Sequence, residues 1–79
     1  METIDFNLSG EDITVQNIFS VSPQNTNYKI IDRNCNELWS GTELKKCKYR
    51  NCEVTFMRVV GEPYRNGYME LRVEVSENE

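Results

Sequence analysis

Near the end of this chain Met69, Leu71, Val73 and Val75 alternate with Glu70, Arg72 and Glu74. An apolar residue at every second position marks a strand with one buried and one wet face. Just upstream, Val54 to Val60 is a second apolar segment rich in β-branched and aromatic residues. The connection Gly61-Glu62-Pro63-Tyr64-Arg65-Asn66-Gly67 holds the residue types that turn chains for steric reasons. The last third of the chain is therefore expected to form a β-hairpin. Toward the start, Ile4, Phe6 and Leu8 alternate with Asp5 and Asn7, giving a first strand that Ser9 to Asp12 turns. Ile13 and Val15 resume the alternation, but Ile18 stands three residues from Val15. That slip of phase predicts a bulge near Gln16-Asn17 or a segment that bends out of the sheet.

Pro23 to Asn27 is polar and breaker-rich, hence a loop. Tyr28 to Asp32 reads as a strand, Arg33 to Asn36 as a turn and Glu37 to Trp39 as the returning strand, with Asn34 and Asn36 suited to left-handed turn positions. A helix signal follows: Ser40-Gly41-Thr42-Glu43 matches a capping box and would open two turns over 42–48, with Leu44 and Cys47 facing inward. The expected fold is mostly β, or α+β if that helix is counted. It is a single domain over 1–79 with a small, mostly antiparallel sheet of five or six strands. The sheet is curved or a partly open barrel, with one short helix near residues 42–48.

On the strand Val54 to Val60, Arg58 interrupts a face made by Val54, Phe56 and Val60, while Thr55, Met57 and Val59 form the other. Two partly apolar faces suit a strand covered by the core on one side and by the helix or a second subunit on the other. Met57 and Val59 are therefore candidate interaction residues. Tyr64 and Arg65, at the tip of the Gly61–Gly67 loop, are a second candidate pair, since loop tips on rigid hairpins are common recognition elements.

Composition narrows the function classes. In 79 residues there are 9 Lys+Arg against 13 Asp+Glu, a formal charge of −4, which makes nucleic acid an unfavourable partner. The charge is uneven: Glu2, Asp5, Glu11 and Asp12 precede the first basic residue, Lys29, whereas Lys45, Lys46, Lys48 and Arg50 crowd into six positions around Tyr49. Lys45, Lys46, Lys48, Tyr49 and Arg50 are the candidate anion-binding residues, against the plainer reading of a solvated helix end. The three cysteines, Cys35, Cys47 and Cys52, have the wrong spacing for a structural zinc site, and there is no histidine to serve as ligand or base. Lysines beside Cys47 would lower its pKa if the thiol were exposed. No phosphate loop, nucleophile motif or metal-protease motif is present, so no enzyme, cofactor or metal is expected. The opening Met1 to Asp5 lacks the basic and apolar regions of a signal peptide, and no apolar run approaches the ~20 residues of a membrane-spanning helix. The expectation is a cytoplasmic chain with reduced thiols and no membrane partner.

From Tyr28 onward, Tyr28-Lys29-Ile30-Ile31-Asp32, the Asn-containing turn, Glu37-Leu38-Trp39-Ser40-Gly41-Thr42, Asn51-Cys52-Glu53-Val54 and the strand Met69 to Val75 together resemble small accessory proteins of Gram-positive mobile elements, such as conjugative transposons and prophages. The resemblance implies a cytosolic bacterial setting and an interaction role, and it brings no catalytic residues. Three functions follow in order of expectation. The first is a small interaction module that binds a protein partner, a homodimer included. The second is an inhibitor of host defence or nucleic-acid machinery whose early acids imitate a phosphate backbone. The third is a weak nucleic-acid binder through residues 45–50.

Overall fold

The computed structural model describes residues 2–43 and 47–74. Its elements run β1 (Thr3–Asn7), α1 (Val15–Val21), β2 (Tyr28–Ile31), β3 (Glu37–Gly41), β4 (Val54–Val60) and β5 (Tyr68–Val73). The five strands form one open sheet in the order β1-β4-β5-β2-β3. Three of the four pairings are antiparallel; the central one, β5 with β2, is parallel and sets Leu71 beside Ile30. The fold is thus the expected β-rich sheet with one short helix and with its ends left open. No helix among the described residues is long and apolar enough to cross a membrane.

The helix lies where the sequence pattern broke phase. Ile13 still belongs to the sheet's margin, accepting from the Val54 N–H at 2.7 Å. Thr14 then caps α1: its Oγ1 accepts from the Asn17 N–H at 3.3 Å, and Asn17 Oδ1 accepts from the Thr14 N–H at 3.0 Å. This reciprocal cap satisfies two donors that a short helix would otherwise waste. Val15 and Ile18, three apart, then share the buried face. The helix ends before Pro23, with Ser22 Oγ bonded to the Ile18 carbonyl at 2.6 Å.

The helix expected over 42–48 is corrected accordingly. Ser40 and Gly41 continue β3, Thr42, Glu43 and Cys47 are not helical, and residues 48–51 form a turn closed by Cys52 N–H to the Tyr49 carbonyl at 3.0 Å. Leu44, Lys45 and Lys46 lie outside the described residues, as does Val75 of the expected last strand.

Both expected hairpins form. In the β2–β3 turn the Asp32 carboxylate accepts from the N–H groups of Asn34 (2.8 Å) and Asn36 (2.9 Å), which holds its pKa below the ordinary 3.8. The left-handed residue there is Cys35, with φ of 65°, not either asparagine. In the β4–β5 loop, Gly67 N–H and Arg65 N–H both donate to the Glu62 carbonyl. Gly67 is required by space: a Cβ there would sit 1.9 Å from the Val60 carbonyl oxygen.

The core lies on one face of the sheet. Val15 and Ile18 pack on Tyr28, Ile30, Leu71, Val73 and Val54, with Cys47 buried beside them. Trp39 is half-buried at the margin, its ring lying over Gly41. Val54 reaches this core because a bulge at Thr55 shifts the β4–β5 register, pairing Val54 with Val73 but Phe56 with Arg72. Val54 therefore shares a face with Met57 and Val59, which corrects its expected grouping with Phe56 and Val60.

Candidate interaction surface

The register fixes what each side of the sheet presents. On the helix-bearing face one row runs Phe6, Met57, Leu71, Ile30, Trp39, and the next runs Ile4, Val59, Met69, Tyr28, Gly41. Seven helical residues make a rod about 10 Å long, whereas five strands at about 4.8 Å spacing span some 19 Å. One such helix cannot roof the whole face. It covers the centre, where Ile30 and Leu71 are fully buried, and leaves the β1 side open. There Ile4 is 52 % and Phe6 41 % exposed, large apolar side chains beside half-buried Val59 and Met57.

β1 also ends the sheet. Every one of its five residues is exposed, and among the described residues its only strand neighbour is β4. Glu2 accepts from Gly61 N–H at 2.8 Å, and Leu8 N–H donates to Thr55 at 3.0 Å, so the even-numbered residues turn their backbone groups inward to β4. Antiparallel alternation then turns the N–H and C=O groups of Thr3, Asp5 and Asn7 outward. Edges of this kind are usually blunted by lysine, proline or a bulge. β1 has none of these.

The opposite face is polar and internally compensated. Its middle row reads Asp5, Arg58, Glu70, Lys29, with alternating sign from strand to strand. Arg58 grips Asp5 through two hydrogen bonds of 2.8 and 3.3 Å, which lowers the Asp5 carboxyl pKa and raises that of the guanidinium. Arg58 and Arg72 stack their guanidinium carbons 5.8 and 5.2 Å from the Phe56 centroid, and Lys29 Nζ lies 5.7 Å from that of Tyr68. Cationic groups over aromatic faces occupy the rings that a ligand would otherwise stack on. The dent among Ile31, Phe56, Arg58, Glu70 and Arg72 holds about 10 Å³, one water at most. A broader groove of about 500 Å³ runs between the end of α1 and Thr42-Glu43. Its lining residues are exposed except for half-buried Phe19 and Ser22, so no buried polar groups converge in it.

The candidates from sequence separate on this frame. Met57 and Val59 lie on the helix-bearing face, next to Phe6 and Ile4 across the β1–β4 ladder. Tyr64, 51 % exposed, and Arg65 sit at the other end of the β4–β5 hairpin's loop, where Arg65 pairs with Glu62 at 3.5 Å. Asn27 ties that loop to the sheet, its N–H donating to Pro63 O at 2.7 Å and its Nδ2 to Gly67 O at 3.1 Å. Lys45 and Lys46 fall outside the described residues. Tyr49 packs against the core with Lys48 Nζ 5.2 Å from its centroid, while Lys48 and Arg50 themselves are exposed.

Cys47 is buried, so desolvation pushes its thiol pKa up, opposite to the lowering that an exposed site among lysines would give. Cys35 is exposed, Cys52 is half-buried, and no disulfide links the three. Of the early acids, Asp5 is paired with Arg58. Ile4 and Phe6 were legible as strand residues; that their strand is an edge was not. Comparison with known protein families, curated proteins and solved structures finds no match to this chain.

Proposed function

We propose that this chain is a small protein-interaction module that receives an extended segment of a protein along β1. One observation carries the reading: an edge strand, unpaired on its outer side among the described residues, with outward N–H and C=O groups on Thr3, Asp5 and Asn7 and two large exposed apolar side chains, Ile4 and Phe6. A strand added there gains ladder hydrogen bonds from the backbone and an apolar floor formed by Ile4, Phe6, Val59 and Met57. The Asp5–Arg58 pair removes the net charge that would otherwise repel an incoming acidic chain.

The test is in-cell photo-crosslinking, with benzoylphenylalanine in place of Phe6, Tyr49 or Tyr64 in separate proteins. Adducts from position 6 and none from 49 or 64 is the expected pattern. Adducts only from 64 or 49, or none from any position, would remove β1 as the docking surface.

A further inference from the structure

Resting on that reading, we infer that the segment β1 receives is β1 of a second copy, paired antiparallel about a two-fold axis at Phe6. The argument is one of register. Two copies can share hydrogen bonds only if outward residues meet outward residues, so Thr3, Asp5 and Asn7 must face members of the same set. Three two-fold registers do this while pairing three or more residues of Thr3–Asn7.

An axis at Asp5 sets that carboxylate against its own copy, two acceptor-only groups with no donor to bond each other. An axis at Ile4 sets Phe6 against Glu2 of the second copy, an aromatic ring against a carboxylate. An axis at Phe6 sets Phe6 against Phe6, Ile4 against Leu8 and Asp5 against Asn7. Every apolar side chain then meets an apolar one, and the single carboxylate meets an amide that can donate to it. The Phe6 pair falls at a non-hydrogen-bonded position, where facing side chains approach most closely.

The consequence is a continuous ten-stranded sheet. The exposed apolar strips of both copies merge across the axis, and their polar faces stay on the other side. Both edge liabilities are removed at once, since the bare backbone groups and the uncovered Ile4 and Phe6 belong to the same strand.

The experiment uses three variants of the full chain: Phe6→Lys alone, and Phe6→Cys or Ile4→Cys in a chain with Cys35→Ser and Cys52→Ser. At the Phe6 axis the two Cα atoms of residue 6 lie about 4.5 Å apart, within disulfide reach. Those of residue 4 are four residues out of register, about 13 Å apart, and out of reach. The expected result is a dimeric wild type by light scattering, a monomeric Phe6→Lys with unchanged circular dichroism, and an oxidised dimer from Phe6→Cys only. Efficient cross-linking of Ile4→Cys, or a dimer indifferent to Phe6→Lys, overturns the inference. A wild type monomeric over a wide concentration range overturns it too. The photo-adduct from position 6 separates the two levels: an adduct of another mass keeps the module reading and rejects the second copy, whereas no adduct rejects both.

Discussion

Replacing Gly67 by alanine tests the geometry that closes the β4–β5 hairpin. The added Cβ would lie 1.9 Å from the Val60 carbonyl oxygen, 2.7 Å from the Glu62 nitrogen and 2.9 Å from the Val60 carbonyl carbon. All three are backbone atoms, so no side-chain rotation relieves the overlap. The loop must open, which disrupts the Gly67 N–H bond to Glu62 O (2.9 Å) and the Asn27 Nδ2 bond to Gly67 O (3.1 Å). Two hydrogen bonds at about 1 kcal/mol net each, plus backbone strain, give a loss of about 2–4 kcal/mol. A chain of this size has about 4–12 kcal/mol in total, so the midpoint should fall by roughly 10–30 °C. Urea unfolding followed by Trp39 fluorescence measures the free-energy loss, and a thermal melt read on the same signal measures the midpoint. Gly10→Ala is the comparator: nothing lies within 4 Å of its Cβ position, and its φ of 84° leaves only left-handed strain, about 1 kcal/mol. Equal losses in the two variants, or a Gly67→Ala loss below about 1 kcal/mol, would refute the reasoning.

Other outcomes follow from the same structure. The Tyr28 hydroxyl is buried without a hydrogen-bond partner among the described residues, so Tyr28→Phe should raise stability by about 1 kcal/mol in the same urea assay. Leu71→Ala, at the fully buried centre of the sheet, should cost about 3 kcal/mol, enough to show as a large fall in urea midpoint. Thr14→Ala removes the α1 cap and should cost about 1 kcal/mol. The carboxyls of Asp5 and Asp32 titrate below their ordinary 3.8 in the folded chain. Their contribution is therefore complete above the unfolded value and is lost as pH falls through the folded ones. An Asp5→Asn, Asp32→Asn variant should lose less stability than wild type on going below about pH 4, as read by acid titration of circular dichroism.

Much of the fold was legible because it is local. The Met69–Val73 alternation, the Gly61–Gly67 connection and the Asn-rich turn after Asp32 each carry their own steric instruction. What escaped depends on partners distant in sequence. The Val15–Ile18 phase slip reads as a bulge or a bend out of the sheet; the second holds, but that the bend is a helix capped by Thr14 and Asn17 is not visible in a period-two count. The weaker capping pattern at Ser40-Gly41-Thr42-Glu43 lost to β-pairing, since Ser40 and Gly41 oppose Lys29 and Tyr28 across the hairpin. The Thr55 bulge moved Val54 to the other face, which no period-two count can register. The parallel contact between β2 and β5 pairs residues far apart in sequence, Tyr28 with Met69 and Ile30 with Leu71, and leaves no local trace. The candidate surface shows the same division. Met57 and Val59 were found from the two-sided apolar pattern of β4, but Ile4 and Phe6 acquire their meaning only from the strand order, which puts β1 at the edge.

Amide hydrogen exchange along β1, read residue by residue by NMR, shows whether β1 is the docking edge. In the dilute chain exchange should be slow at Ile4 and Phe6, whose groups face β4, and fast at Thr3, Asp5 and Asn7. On association the amides of Asp5 and Asn7, which face each other across the Phe6 axis, should slow to match their neighbours. Asp5 and Asn7 amides already protected in the dilute chain, or still fast when the chain is fully associated, would contradict β1 as the docking edge.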